Sequence, residues 1–242
     1  IANYGVGYDA VDVEQATLNN VKVTNTPNVL NDEVADTAVA LTLCVYKNIS
    51  SANNFLLEKK WLKSEFPLSK KFSGTKFGIL GMGRIGKTIA KRIEAFNCEI
   101  CYHSRNEKDV KYKYFPKLEE LAEYVDTLCV ITPGGEETKH LVNSNILQKL
   151  GKNGFLINIA RGSVIDQQAL IHALQNKIIC GAGLDVFENE PNVPDDLMNL
   201  DNVILTPHIG SATVETRYDM GKLVYDNVVQ MLTKKSTISP VN

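Results

Sequence analysis

Short apolar runs and longer stretches with apolar residues at helical spacing take turns along most of this chain. The short runs, bounded by glycine, proline or polar residues, read as strands. They are Lys76 to Leu80, Glu99 to His103, Asp126 to Thr132, Phe155 to Ala160, Ile179 to Val186 and Val203 to Thr206. Between them, Arg84 to Phe96 carries Ile85, Ile89, Ile93 and Phe96 at helical spacing. Leu118 to Tyr124, Asn143 to Leu150 and Asp166 to Gln175 also read as helices, with Gly151 as a C-cap and Asp166 as an N-cap. An Ala-, Val- and Leu-rich helix over Asn31 to Ile49 precedes the first strand, and Ser211 to Leu232 reads as one long helix after the last. The stretch from Leu56 to Ser73 is polar, with Lys-rich patches and Pro67, and reads as a surface connection. Pro27 and Pro207 mark hinges. Strands that alternate with helices specify an α/β fold, a Rossmann-type doubly wound parallel sheet covered on both faces.

Composition narrows the class without naming it. The chain has 242 residues, 44% apolar and 22% charged, ordinary for a soluble globular protein. A net charge of -2 with no basic run argues against nucleic-acid binding. No apolar stretch approaches the roughly 18 residues of a membrane span. Five cysteines form no regular framework, which points to a reducing, cytoplasmic setting. Cys98 and Cys101 make a CxxC, but on a strand, where positions three apart face opposite sides, so they read as packed residues. The chain opens on Ile1 with no leader-like segment, and a missing N-terminal stretch is expected.

The strongest local signal is Gly81-Met82-Gly83-Arg84-Ile85-Gly86, set between a strand and a helix. This is the dinucleotide fingerprint: Gly81 for the tight turn, Gly83 for close approach of a pyrophosphate, Gly86 for helix-on-strand packing. The pyrophosphate would meet the free N–H groups of the helix start. NAD-selective sites place an acid after the second strand. Here Tyr102-His103-Ser104-Arg105-Asn106 offers none before Glu107. Ser104 is small and the Arg105 fork can grip a 2′-phosphate, so the reading is NADP preferred over NAD. The plainer reading of Arg105 is a solvated surface residue. Thr132 and Pro133 follow a strand and would line the cofactor crevice.

Three further strand ends carry chemistry. Asn158-Ile159-Ala160-Arg161-Gly162 turns sharply, and an arginine there points into the crevice where such sheets bind ligands. Gly183 to Pro191 contains Asp185 and Glu190, and Thr206-Pro207-His208-Ile209-Gly210 leaves the last strand. Arg161 suits a carboxylate and a neighbouring keto oxygen. His208 is a proton donor, and a carboxylate such as Glu190 beside it favours the imidazolium. Singly, each has a plainer reading: an ion-pair partner, a cap or surface acid, a satisfied loop histidine. As an ordered set behind a dinucleotide turn they favour catalysis. His103, His140 and His172 lack such settings and read as surface or packing residues, with no metal-ligand spacing.

The glycine run, the INIARGSVID block, and the pair GAGLDVFENEP and LTPHIGSAT together resemble the D-isomer-specific 2-hydroxyacid dehydrogenase family. The likeness runs from NYGVGYDAVD to the closing SPVN. The YHSR ending and the tail are more similar to its glyoxylate/hydroxypyruvate and hydroxyphenylpyruvate reductases than to its NAD-linked lactate or phosphoglycerate enzymes. The resemblance implies hydride transfer from NADPH or NADH to a small 2-keto acid, giving the D-2-hydroxy acid. It implies that Arg161 binds the substrate's carboxylate and keto oxygen, that His208 is the general acid, and that Glu190 is its paired carboxylate. It puts Asp185 near the nicotinamide amide, the N–H groups of Val6 and Gly7 on the substrate carboxylate, and Ala160, Arg161, His208 and Gly210 along the cofactor. It implies a cofactor domain over 27–208, with 1–26 a remnant of a flavodoxin-like substrate domain to which the C-terminal helix, 209–242, returns. It also implies a homodimer through the cofactor domain, with the helix Asn31 to Ile49 as a contact element unless its apolar face meets only the core. A dinucleotide-sensing corepressor of the same fold remains the alternative, since fold does not settle function.

Overall fold

A computed structural model describes residues 1–242. The chain forms two compact units, one made of residues 1–34 and 211–242, the other of residues 35–210. In chain order the helices and strands are α1 (Val13–Leu18), α2 (Asn31–Lys47), α3 (Ile49–Leu57), β1 (Lys76–Leu80), α4 (Arg84–Ile93), β2 (Glu99–His103) and β3 (Lys113–Tyr114). There follow α5 (Leu118–Tyr124), β4 (Thr127–Val130), α6 (Ser144–Leu150), β5 (Phe155–Asn158), α7 (Gln167–Gln175), β6 (Gly181–Leu184), α8 (Asp195–Met198), β7 (Val203–Leu205) and α9 (Val214–Lys234).

The larger unit is built on one seven-stranded sheet in the order β3-β2-β1-β4-β5-β6-β7, and every pairing is parallel. The order reverses direction beside β1, the switch point at which such sheets bind ligands. β1, β4, β5 and β6 are apolar runs buried over nearly their whole length, as central parallel strands must be when both faces are covered. Their registers align at one edge. Leu80 lies opposite His103 and Val130, Val130 opposite Asn158, Asn158 opposite Leu184, and Leu184 opposite Leu205. Six loops therefore leave the sheet at the same level.

The two sheet faces are packed differently. On one, α5, α6 and α7 bury Leu121, Ile146, Leu147, Leu170 and Leu174 against Leu128, Leu156, Ala182 and Leu184. On the other, α2 lies close over β6. A Cβ on Gly183 would sit 3.0 Å from the Leu41 Cβ, and one on Gly181 would sit 3.0 Å from a Val45 methyl. Glycine alternates with alanine and leucine in β6 because one face must admit a helix backbone and the other fills a side-chain core. Truncating a fully buried residue such as Leu128 or Ile157 to alanine costs about 2–5 kcal/mol in cores of this kind.

Several elements differ from the sequence expectation. The long helix over 31–49 breaks at Asn48, whose φ of +51° ends α2 and starts α3. Among the apolar side chains of α2, Leu41, Val45 and Tyr46 are at most 3% exposed and belong to the core, whereas Val39 and Leu43 are half-buried and Ala40 is exposed. The stretch from Leu56 to Ser73 is a surface connection only in part. Phe72 is 2% exposed and packs against Tyr46, Phe77 and Phe96. The helix after Gly83 is α-helical to Ile93 and tightens to a 3₁₀ turn over Glu94–Phe96. The smaller unit holds α1, with Asp12 as its N-cap, and α9, with Thr213 as its N-cap. Its chain ends meet through isolated bridges of Thr24 to Ala2 and to Pro240.

Candidate active site

The glycine turn follows β1. Gly81 has φ +112°, where an L side chain is strained, and an added Cβ would fall 2.8 Å from the Ile131 carbonyl. A Cβ on Gly86 would fall 2.1 Å from the Gly81 carbonyl, so α4 can sit this close to the turn only with glycine there. Gly83 is the opposite case: nothing lies within 4 Å of the Cβ it lacks. That leaves a backbone surface open to a ligand. Gly83 is also the N-cap of α4 and supplies no capping side chain, so the N–H groups of Arg84, Ile85 and Gly86 are not capped from within. A cradle with bare N–H groups at the positive end of a ten-residue helix fits a pyrophosphate.

Beyond β2, the His103 Nδ1 meets the Phe115 carbonyl at 2.9 Å, and the Ser104 hydroxyl donates to the Asn106 carbonyl at 2.6 Å. Arg105 reaches Glu137 at 3.2 Å, with both side chains more than 80% exposed. Thr132 and Pro133 leave β4 beside Gly81, and the Pro133 carbonyl accepts from the Thr138 hydroxyl at 2.7 Å.

Beyond β5, Asn158 shapes the turn that carries Arg161. Its side-chain oxygen accepts the Ala160 N–H at 3.1 Å, and its amide donates to the Arg161 carbonyl at 3.0 Å. The Arg161 Nη1 donates to the Ala160 carbonyl at 2.8 Å. Gly162 then packs flat on the neighbouring segment, where a Cβ would lie 1.9 Å from the Phe187 carbonyl carbon.

That neighbouring segment carries Glu190. One oxygen of its carboxylate accepts the Phe187 N–H at 3.0 Å, and the other meets the His208 Nδ1 at 2.7 Å. The pair is partly open to solvent, with His208 47% and Glu190 34% exposed. The contact assigns the Nδ1 proton to the carboxylate side. His208 Nε2 has no protein partner and is the end available for proton transfer. Two of the three expected catalytic residues are thus in direct contact. Arg161 is tied to them through the packing of Gly162 on the Phe187–Glu188 backbone.

Asp185 has a part that its position in the sequence did not disclose. It is 1% exposed and unpaired with any cation. One carboxylate oxygen accepts from the Thr206 hydroxyl and the Ile209 N–H, both at 2.7 Å, and the other accepts from the Gly210 N–H at 2.8 Å. Gly210, expected along the cofactor, spends its N–H on this carboxylate. His140, read as a surface or packing residue, is hydrogen-bonded through its Nε2 to the Glu188 carboxylate. Val6 and Gly7 lie half-buried in the smaller unit. No cluster of histidine, cysteine and acidic residues could hold a metal, and no helix is long and apolar enough to cross a membrane.

Residues 39–210 match the family described as D-isomer specific 2-hydroxyacid dehydrogenase, NAD binding domain. The whole chain is 46% identical to glyoxylate/hydroxypyruvate reductase A of Arabidopsis thaliana and 44% identical to hydroxyphenylpyruvate reductase of Plectranthus scutellarioides, covering 77% of each. Among solved structures, an NADPH-dependent glyoxylate/hydroxypyruvate reductase from Sinorhizobium meliloti, in complex with NADP and malonate, superposes with a TM-score of 0.96. That protein is 48% identical, over 99% of this chain and 76% of the other. The chain belongs to the D-isomer-specific 2-hydroxyacid dehydrogenase family, and its larger unit is that family's NAD-binding domain.

Proposed function

We propose that this chain is an NADPH-preferring reductase of glyoxylate, hydroxypyruvate or a bulkier 2-keto acid, producing the D-2-hydroxy acid. The observation that carries the reading is the 2.7 Å contact of His208 with Glu190 at the edge of a dinucleotide-binding sheet. When bound, the reduced dinucleotide supplies a hydride to the keto carbon. His208 holds a proton at Nε2 and delivers it to the keto oxygen, which becomes the hydroxyl. Glu190, fixed by the Phe187 N–H, orients the ring through its contact with Nδ1. Arg161 binds the substrate's carboxylate and keto oxygen, and the N–H groups of Val6 and Gly7 bind the carboxylate. Gly81, Gly83, Arg84, Ile85 and Gly86 hold the pyrophosphate, with Ser104 and Arg105 at the 2′-phosphate. Thr132, Pro133, Ala160, Asp185 and Gly210 line the cofactor's path. Residues 1–26 and 209–242 serve the substrate side and 27–208 the cofactor.

The setting we infer is cytoplasmic, supported by five free cysteines. The assembly we infer is a homodimer through the cofactor domain, without nucleic-acid partners. Support comes from α3 and the turn after it, which expose Ile49, Leu56, Leu57, Trp61 and Leu62. Trp61→Glu should yield a monomer in sedimentation if that face is the contact.

The deciding experiment follows reduced-nicotinamide consumption, NADPH against NADH, with glyoxylate, hydroxypyruvate and hydroxyphenylpyruvate offered separately. Turnover with NADPH supports the reductase, and the fastest substrate sizes the pocket. Dinucleotide binding without turnover of any keto acid would favour the corepressor-like reading.

A further inference from the structure

The backbone loop that the proposed function assigns to the substrate carboxylate is held through its carbonyls by two asparagines. Asn3 Nδ2 donates to the carbonyls of Gly5 at 3.1 Å and Gly7 at 2.9 Å. Asn25 Nδ2 donates to the carbonyl between them, that of Val6, at 2.8 Å. The Thr26 N–H adds a second donor to the Gly5 carbonyl at 2.9 Å. Three consecutive carbonyls are therefore fixed by four donors.

In a trans peptide the carbonyl and the following N–H point in opposite directions. Anchoring the carbonyls of Gly5, Val6 and Gly7 fixes the N–H groups of Val6, Gly7 and Tyr8, each turned away from the donor that holds its own peptide. None of those three N–H groups donates to any protein acceptor. Bare, directed backbone N–H groups are anion receptors. A loop of this composition would otherwise be free to rotate its peptides, because Gly5 and Gly7 have no side chains to restrain them.

The anchors are themselves fixed. The Asn3 N–H donates to the Thr24 carbonyl at 2.8 Å. Asn25 is 8% exposed, and its carbonyl accepts the Ser239 hydroxyl at 2.7 Å. Ser239 is held in turn by Asn227 at 2.9 Å, and Asn227 is 2% exposed.

We infer that Asn3 and Asn25 are positioning residues: their amides orient the Val6 and Gly7 peptides so that the N–H groups receive a substrate carboxylate. This rests on the proposed reading of that loop. The amides of both asparagines are engaged by the loop's carbonyls, so the effect of replacing one falls on affinity for the carboxylate before the chemical step.

The test uses the whole chain, with oxalate as a probe that carries carboxylates and cannot be reduced. Asn3→Leu removes both donors at similar volume and without adding charge. It should raise KM for glyoxylate and Ki for oxalate together by about 10- to 100-fold, as expected for a misplaced recognition group. Turnover at saturation and the Kd for NADPH should change far less. Asn3→His, whose ring N–H can restore one bond, should recover part of the loss. Folded Asn3→Leu protein with KM and Ki both within about twofold of wild type would overturn the inference.

Amide NMR provides a readout independent of activity and of that variant's folding. Oxalate should shift the Val6 and Gly7 amide resonances of the wild-type chain, and the shifts should be lost in Asn3→Leu and partly kept in Asn3→His. Absence of shifts in the wild type would also overturn the inference. Shifts without reduction of any keto acid would instead reject the reductase reading and leave the anion-receiving loop standing.

Discussion

Asp185 holds the loop of His208 by both its main chain and its side chain. Its carbonyl accepts the His208 N–H at 2.9 Å, while its carboxylate gathers Thr206, Ile209 and Gly210. His208 sits between those contacts with φ +53°, a left-handed conformation that a non-glycine residue adopts at a cost of about 1–3 kcal/mol unless its surroundings impose it. The Asp185 carboxylate supplies that imposition. Asp185→Asn keeps the shape but turns an amide N–H₂ toward donors on at least one side, leaving a buried donor unsatisfied. It should lower kcat about 100-fold through displacement of His208 and also lower the melting temperature. Steady-state kinetics with a thermal melt would check both, and an unchanged kcat would mean that the loop holds without the carboxylate.

His208 and Glu190 should behave as a unit. His208→Ala removes the ring nitrogen assigned to proton transfer and should cut kcat by about 10²–10⁴-fold, the range of general acid catalysis. The Kd for NADPH should stay close to wild type, because the glycine turn is built separately. Glu190→Gln creates a conflict: the amide cannot both accept the Phe187 N–H and accept from the His208 Nδ1 through a second oxygen. The loss in kcat should approach that of His208→Ala, and the double variant should be little worse than either single one. Additive losses would show that the two residues act independently.

Gly162 is the tightest contact at the site. An added Cβ would overlap the Phe187 carbonyl carbon and the Glu188 nitrogen, at 1.9 Å and 2.3 Å, and both are backbone atoms that cannot swing aside. Gly162→Ala must push the Arg161 turn and the Glu190 segment apart. The expected result is destabilisation of about 1–3 kcal/mol or more, together with reduced turnover. Denaturant unfolding measures the first, and a variant as stable and active as wild type would contradict the packing described.

The fold was legible where burial is two-sided. β1, β4, β5 and β6 are apolar runs because helices cover both faces of them, and such runs stand out in sequence. β3 was invisible, since an edge strand of two paired residues, Lys113 and Tyr114, carries no periodicity to read. Phe72 was hidden by its polar neighbours Lys70, Lys71 and Ser73, although it is the centre of an aromatic cluster. At the site, Arg161, Glu190 and His208 could be picked out because each follows a strand in a distinctive block. The work of Asp185 and Gly162 could not. Both act on residues from a different strand's loop, and only the level register of β5, β6 and β7 brings those loops together.

The cysteines should divide by burial. Desolvation on β4 pushes the Cys129 thiol up from 9.0 to about 12, and burial together with the Glu99 carboxylate pushes Cys101 up to about 11. A thiol shifted that far is thiolate in only about one molecule in a thousand or fewer at pH 8. Cys44, Cys98 and Cys180 are partly exposed. Maleimide at pH 8, read by peptide mass spectrometry, should label those three and spare Cys101 and Cys129. The CxxC therefore has one accessible and one inert thiol. Rapid labelling of Cys129 would mean that the central sheet opens in the native protein.

On the proposed reading Arg105 would select the cofactor, and Glu137, its partner in this structure, would oppose it. Their ion pair is exposed on both sides and is worth little by itself. A 2′-phosphate brings more negative charge and a better fit to the arginine fork than one carboxylate does. Binding would replace Glu137 as the partner of Arg105. Arg105→Ser should raise KM for NADPH by about 10- to 100-fold, the worth of a hydrogen bond to a charged group, and leave KM for NADH nearly unchanged. Glu137→Gln should act in the opposite sense, lowering KM for NADPH because the phosphate no longer competes with or faces a carboxylate. Both effects should shrink as salt rises, since the charges lie in solvent. Paired kinetics with NADPH and NADH at low and high ionic strength give the answer. Equal changes for the two cofactors in Arg105→Ser would remove Arg105 from cofactor selection and leave it as a surface residue paired with Glu137.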